Sequence, residues 1–283
     1  MKSTAKVDVL LDGLTFPEGP RWRDGKLWFS DFYTNRVMTV DPKGRAETIV
    51  EVPQRPSGLG WTLAGDLVVV SMLDKRLLRL SDGRLSEIGD FSALATGPCN
   101  DMVVDCSGRA YVGNFGFDRH GGEAPRTTCI ARLDPGSRPV VAADNLFFPN
   151  GMVITPDGRT LVVAETYAQR LTAFDIGIDG ALSGRRVFAD LAGCYPDGIC
   201  LDVEGAIWVT DARGYQVSRI FAGGRIAQMV STGERTAFAC MLGGEDRRTL
   251  FICTSTGSGP AMAQRRDGRI EVARVEVPGA GLP

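Results

Sequence analysis

The chain has 283 residues, 43% of them apolar and 23% charged, with 32 Lys plus Arg against 34 Asp plus Glu. A chain of this length buries about three quarters of its unfolded surface, so a packed globular protein is expected and disorder is excluded as the main state. A net charge of -2, with no basic run longer than Arg247-Arg248 or Arg265-Arg266, argues against nucleic acid or an anionic membrane as a partner.

The one histidine, His120, rules out tri-histidine zinc sites and leaves a single imidazole for any Ser-His or Cys-His hydrolase. Hydrolysis by a metal would have to use oxygen ligands. The 35 glycines exceed the ordinary share of about 7% and point to many tight turns between short strands. Seven cysteines, with no C-x-x-C pair, mostly alternate with aliphatic residues and read as reduced core side chains. No signal-like apolar run follows Met1, and no stretch approaches the ~18 apolar residues of a membrane span, so a cytoplasmic protein is expected.

In chain order, Lys6 to Leu11 is the first strand candidate, and then a turn residue followed by a short apolar β-run recurs six times. Gly25 opens Lys26-Leu27-Trp28-Phe29-Ser30-Asp31, Gly65 opens Asp66-Leu67-Val68-Val69-Val70-Ser71, and Gly108 opens Arg109-Ala110-Tyr111-Val112-Gly113-Asn114. Gly158 opens Arg159-Thr160-Leu161-Val162-Val163-Ala164, and Gly205 opens Ala206-Ile207-Trp208-Val209-Thr210-Asp211. Arg247 takes the glycine's place before Arg248-Thr249-Leu250-Phe251-Ile252-Cys253, and the six turn residues lie 40, 43, 50, 47 and 42 apart. A further strand follows each run, as in Arg36 to Val40 and Arg170 to Phe174.

That period suits a blade of four strands, and it fits radial packing better than a sandwich or solenoid. Residues 1–283 are therefore read as a single all-β domain, a six-bladed β-propeller of four-stranded antiparallel blades. The N-terminal strand and a C-terminal one within Arg269 to Val277 would close the circle. No linker or low-complexity tract interrupts the period.

Eight positions upstream of each turn residue stand Ser57, Asn100, Asn150, Asp197 and Ala239, with Glu18 seven upstream in the first repeat. Equivalent positions in a propeller lie on a ring around the axis, so these side chains are expected to converge at one end of the channel. Two carboxylates and two carboxamides, without sulfur or imidazole, form the donor set of a hard cation. One divalent cation is expected on Glu18, Asn100, Asn150 and Asp197, with Ca²⁺ first and Mg²⁺, Mn²⁺, Zn²⁺ or Fe²⁺ as alternatives. Such an ion would polarise a carbonyl, and a carboxylate beside it could accept a proton from attacking water. Asp197 is assigned that role, because Glu18 stands between Pro17 and Pro20 in what reads as a rigid turn suited to a structural ligand.

At these residues the sequence resembles the gluconolactonase, regucalcin and senescence-marker-protein family of six-bladed propellers, which includes LRE-like members. The motifs are Phe16-Pro17-Glu18-Gly19-Pro20, Pro56-Ser57-Gly58-Leu59-Gly60, Asn100-Asp101, Pro149-Asn150-Gly151-Met152 and Tyr195-Pro196-Asp197-Gly198-Ile199. The resemblance implies a divalent ion held by Glu18, Asn150 and Asp197, with Asn100 on the ion, on a water beside it or on substrate. It also implies hydrolysis of lactone esters, with Asp197 as base.

Sugar-lactone members of that family carry an arginine two residues before the asparagine matching Asn100, and here that position is Pro98. Their acidic contact in the following blade has no counterpart either, since Gly113-Asn114-Phe115-Gly116-Phe117 stands there. The expected lining is apolar: Trp61, Phe115, Phe117, Phe148 and Tyr195, with Asn100, are the candidate substrate contacts, and Phe32, Tyr33, Met72 and Phe147 stand nearby. The glycine-rich loop from Asn114 to Thr128 is expected to lie over the site as a lid, with His120 solvated in it.

The expected function is thus metal-dependent hydrolysis of a small-molecule lactone or ester with few hydroxyls, by a monomer or small homo-oligomer. The alternatives are a metal-dependent propeller acting on another substrate, through phosphotriester hydrolysis or a lyase or isomerase step, and a non-catalytic binding propeller.

Overall fold

The computed structural model describes residues 6–280, and its strands form six four-stranded antiparallel sheets. Each sheet is one blade of a β-propeller. The inner strands are Pro17–Arg23, Pro56–Trp61, Cys99–Val104, Pro149–Ile154, Pro196–Leu201 and Thr236–Gly243, and each contacts the next around a closed ring. The apolar runs picked out by the repeat become the second strands, for example Leu67–Ser71 and Ile207–Asp211.

Hydrophobicity falls from the axis outward. Leu67–Ser71 is buried at every residue, because its two faces pack against neighbouring blades. The outermost strand Ala46–Glu51 faces water along most of its length. A sheet covered on both faces carries continuous apolar runs, whereas one covered on a single face alternates. The repeat was therefore easiest to see in the second strands.

The sixth blade closes the ring. Val7–Leu14 pairs with Gly268–Arg274 as that blade's outer strand, so the blade is built from both ends of the chain. Among the described residues, helix is confined to a 3₁₀ turn at Phe32–Thr34 and one turn at Met262–Arg265. Among the described residues, no helix is long and apolar enough to cross a membrane. All seven cysteines are free thiols; most are buried, Cys194 is partly covered and Cys106 is exposed.

Candidate functional site

The inner strands begin irregularly, and the irregularity aims the ring residues. In the second blade Pro56 pairs with Ser71 and Leu59 with Val69, so Ser57 and Gly58 together stand opposite Val70. The third, fourth and fifth blades repeat this shift between Cys99 and Met102, Pro149 and Met152, and Pro196 and Ile199. In the first blade it falls between Glu18 and Arg21. Such a bulge bends its strand and redirects a side chain. Glu18, Asn100, Asn150 and Asp197, from four different blades, line one cavity at the end of the channel where the inner strands start.

Glu18 does not occupy a turn; it is the second residue of a strand. Close packing at the axis explains the glycines that follow the ring positions. A Cβ at Gly58 would lie 2.5 Å from the Met102 nitrogen, and one at Gly198 would lie 2.6 Å from the Ala239 Cα. The third blade has Asp101 instead, and its carboxylate pairs with Arg21 of the first blade at 3.0 Å. Arg21 also donates to the Met102 carbonyl and lines a separate cavity at the opposite end. This buried ion pair floors the site.

The ring residues hydrogen-bond around the axis. Ser57 Oγ donates to Asn100 Oδ1 at 3.2 Å, Asn100 Nδ2 to Asn150 Oδ1 at 3.0 Å, and Asn150 Nδ2 to Thr166 Oγ1 at 3.2 Å. The acids are less well served. Desolvation holds the Glu18 carboxyl well above the usual range, with the Asp197 and Asp101 charges adding to it and the Gly19 N–H and Arg21 opposing. Desolvation also raises Asp197 to about 8, although the Arg119 charge and a hydrogen bond from Asn150 favour its ionised form. Both acids are forced toward protonation in one cavity because burial outweighs the Arg21 and Arg119 charges, and among the described residues neither has an ion-pair partner.

That cavity fits a cation by its donor chemistry. All four converging side chains offer oxygen, and a divalent charge would offset the desolvation and repulsion the carboxylates suffer. Among the described residues no three Asp, Glu, His or Cys side chains form a metal cluster, so a cation held here would need the carboxamides as well.

Repeated braces hold the rim. The residue after the second strand donates its N–H to the carbonyl just before the inner strand: Phe32 to Phe16, Met72 to Arg55, Phe115 to Pro98, Thr166 to Phe148 and Ala212 to Tyr195. Side chains at the ends of the second strands add support. Asp31 accepts from the Thr15 and Phe16 N–H groups, Glu165 from Phe147 and Asp211 from Tyr195.

Of the candidate substrate contacts, Asn100, Phe115 and Phe148 line the cavity, and the two rings stack 4.6 Å apart. Phe16, Phe32, Tyr33, Met72 and Phe238 complete its apolar wall. The structure places the other three outside this lining. Trp61 ends its inner strand rather than starting it, about 13 Å further along, and packs on Trp28 in a groove at the far end. Phe117 is buried beneath the rim against Phe148 and Tyr167. Tyr195 lies under Arg213, whose guanidinium is 3.8 Å from its ring centre, and does not line the cavity.

The Asn114 to Thr128 loop does reach over the site. Its Arg119 donates to Ser258 Oγ of the sixth blade at 3.3 Å, and a Cβ at Gly259 would meet His120 Cε1 at 3.1 Å. Arg119 and His120 both line the cavity, as does Arg55. His120 titrates below its usual value because of desolvation and the Arg119 and Arg55 charges. A larger space of about 410 Å³ adjoins, sharing Arg55, Met72, Phe115 and His120 as its inner wall.

Residues 16–256 match the SMP-30/Gluconolactonase/LRE-like region family. The chain belongs to this family. A 6-deoxy-6-sulfogluconolactonase of Pseudomonas putida is 28% identical, over 94% of this chain and 93% of the relative. A gluconolactonase structure from Xanthomonas campestris superposes with a TM-score of 0.78 at 25% identity, covering 97% of this chain and 90% of that one. A calcium-binding protein, regucalcin, from Agrobacterium tumefaciens gives 0.85 at 20% identity over 100% and 98%, a likeness of fold.

Within this family the guanidiniums of Arg55 and Arg119 are what the sequence reading missed. Arg119 sits in a loop with no period to give it away. Arg55 had a signal: Arg55-Pro56 stands in register with Phe16-Pro17 and Phe148-Pro149, and all three of Phe16, Arg55 and Phe148 face the cavity.

Proposed function

We propose that the protein hydrolyses the ester bond of a small-molecule lactone at this cavity, with a divalent cation, calcium foremost, held by Glu18, Asn100, Asn150 and Asp197. The supporting observation is that these four oxygen-bearing side chains meet in one cavity whose two acids are raised by desolvation. Relatives named as lactonases match the chain over most of its length, which favours a lactone over the phosphotriester, lyase and scaffold alternatives.

A bound cation supplies charge that polarises the ester carbonyl and stabilises the oxyanion of the transition state. The chain's own groups do the rest. The Asp197 carboxylate accepts a proton from water as that water's oxygen bonds to the carbonyl carbon. The ring C–O bond then breaks, and the proton passes to the departing ring oxygen, giving the open hydroxy acid. Asn100 and Asn150 orient the ring of donors through their mutual hydrogen bond. The aromatic wall and the Asn114 to Thr128 loop limit water around the reacting ester.

The test is to strip the protein with chelator, restore Ca²⁺, Mg²⁺, Mn²⁺, Fe²⁺ and Zn²⁺ singly, and follow acid release from a panel of lactones. Hydrolysis should follow cation occupancy. Turnover untouched by complete chelation would overturn the cation, and cation binding without turnover of any lactone would overturn the lactonase reading.

A further inference from the structure

Two arginines that line the cavity differ from the arginines buried within the blades in having no acidic ion-pair partner. The two arginines buried within the blades are both paired, Arg21 with Asp101 at 3.0 Å and Arg219 with Asp202 at 2.6 Å. Arg55 and Arg119 line the cavity, yet among the described residues no carboxylate forms an ion pair with either. Among the described residues the Arg119 guanidinium donates to the Ser258 hydroxyl alone. Arg55 stands 4.7 Å over the Tyr33 ring, and its Nε is buried with no hydrogen-bond partner. Guanidiniums offer donors in a planar fork that matches an oxyanion, and a buried unmet donor is costly.

The surroundings hold these charges in place instead of neutralising them. Arg55 has a φ of 70°, a left-handed conformation that a non-glycine residue rarely keeps without support. Its N–H donates to the Val52 carbonyl and its own carbonyl accepts from Met72, which pin it there. The nearest acids of the loop are already engaged. Asp118 caps the His120 and Gly121 N–H groups, and Glu123 pairs with Arg126 at 3.1 Å. With a divalent cation offsetting Glu18 and Asp197, Arg55 and Arg119 leave the site with two positive charges in excess.

We propose that Arg55 and Arg119 bind a second anionic group on the substrate, a carboxylate or sulfonate remote from the ester that is cleaved. This rests on the proposed cation for the charge excess and on the lactonase reading for the reaction, but the binding needs no turnover. The remainder of such a substrate faces the aromatic wall, which offers few partners for hydroxyls, and the adjoining space beyond Arg55 has room for it.

The experiment uses the full chain loaded with Ca²⁺ and two sets of probes. Calorimetric titration compares tetrahydrofuran-2-carboxylate and a tetrahydrofuran sulfonate, which cannot be hydrolysed, with neutral tetrahydrofuran-2-methanol. Kinetics compares kcat/KM for a lactone bearing a free carboxylate with that for its methyl ester. Both anions should bind better than the neutral ring, and the tighter of them names the group preferred. Arg55→Gln and, separately, Arg119→Gln should each lower the anion's advantage about tenfold to a hundredfold. The kinetic loss should fall mainly in KM.

Thermal melts identify a variant that has not folded, and the other variant then decides. If no lactone turns over but the arginine-dependent anion binding persists, the lactonase reading fails and the anion site stands. If neither anion outbinds the neutral ring, or both substitutions leave the advantage intact, the anion site is overturned even though lactones are cleaved.

Discussion

The two ends of the central channel bury charge in opposite ways. At the floor, Arg21 and Asp101 lie 3.0 Å apart with both side chains nearly inaccessible, and Arg21 further satisfies two carbonyls. At the mouth, Glu18 and Asp197 share a cavity in which desolvation raises both, Asp197 to about 8. The floor closes its charges in a direct ion pair, and the mouth, among the described residues, does not. Buried charges of opposite sign need nothing further, whereas buried acids left together are a reservoir of unfavourable energy that a bound cation can relieve. Position on the same six strands separates a structural ion pair from a candidate reaction site.

The largest effect should come from the mouth. Asp197→Asn keeps the shape and one oxygen donor but removes the proposed proton acceptor, so turnover of any lactone substrate should fall at least ~10³-fold in kcat. Some Ca²⁺ binding, followed by calorimetry, should remain. Turnover within a few-fold of the parent would remove Asp197 from the chemistry.

The floor should respond in stability rather than in turnover chemistry. Asp101→Asn leaves the Arg21 guanidinium buried without its counter-charge, at a cost of about 3 kcal/mol in denaturant unfolding. Glu18→Gln should do the reverse in chelated protein, since it deletes a desolvated acid and raises the melting temperature, while weakening Ca²⁺ binding at least tenfold. Equal destabilisation by the two substitutions would erase the contrast between the ends.

Titration sharpens the same contrast. A carboxyl raised in the folded state keeps more protons than it does unfolded, so its contribution to stability is fully present below the unfolded value of ~4 and is lost as pH rises. For Asp197 that loss extends to about 8, and Glu18 moves in the same direction. A cation bound by these acids, as proposed, would compete with those protons and stabilise the ionised pair. The gain in melting temperature on adding Ca²⁺ should therefore be small at pH 5 and larger at pH 8. A gain that shrinks with pH would place the ion away from these acids.

How legible each end was follows from what a repeat can encode. The glycine-marked period specified blades because each second strand is buried on both faces, and the convergence of Glu18, Asn100, Asn150 and Asp197 followed from their shared register. The bulges that aim them leave no simple mark, and Glu18 was consequently taken for a turn residue. Arg119 and His120 lie in a loop that no period constrains, and their approach to Ser258 and Gly259 joins segments about 140 residues apart in sequence. The Arg21–Asp101 pair was equally hidden, because a salt bridge across the axis depends on the angle between blades.

Trp61 gives the smallest expected effect and the cleanest check on which end is which. Aromatic character near a ring motif suggested a substrate contact, but Ser57 and Trp61 are four residues apart on one strand, and a strand of this length runs from the mouth to the far side. There Trp61 stacks edge-on against Trp28 at 5.6 Å, with Arg23 4.8 Å from its ring centre. Trp61→Phe keeps most of this packing and reaches no part of the cavity. Denaturant unfolding should show a loss of about 1 kcal/mol, with kcat/KM for lactones within about twofold of the parent. Phe148→Leu supplies the contrast at the mouth, where its ring stacks on Phe115 and lines the cavity. A catalytic loss at Trp61 as large as the one at Phe148 would mean that substrate reaches the opposite end of the channel.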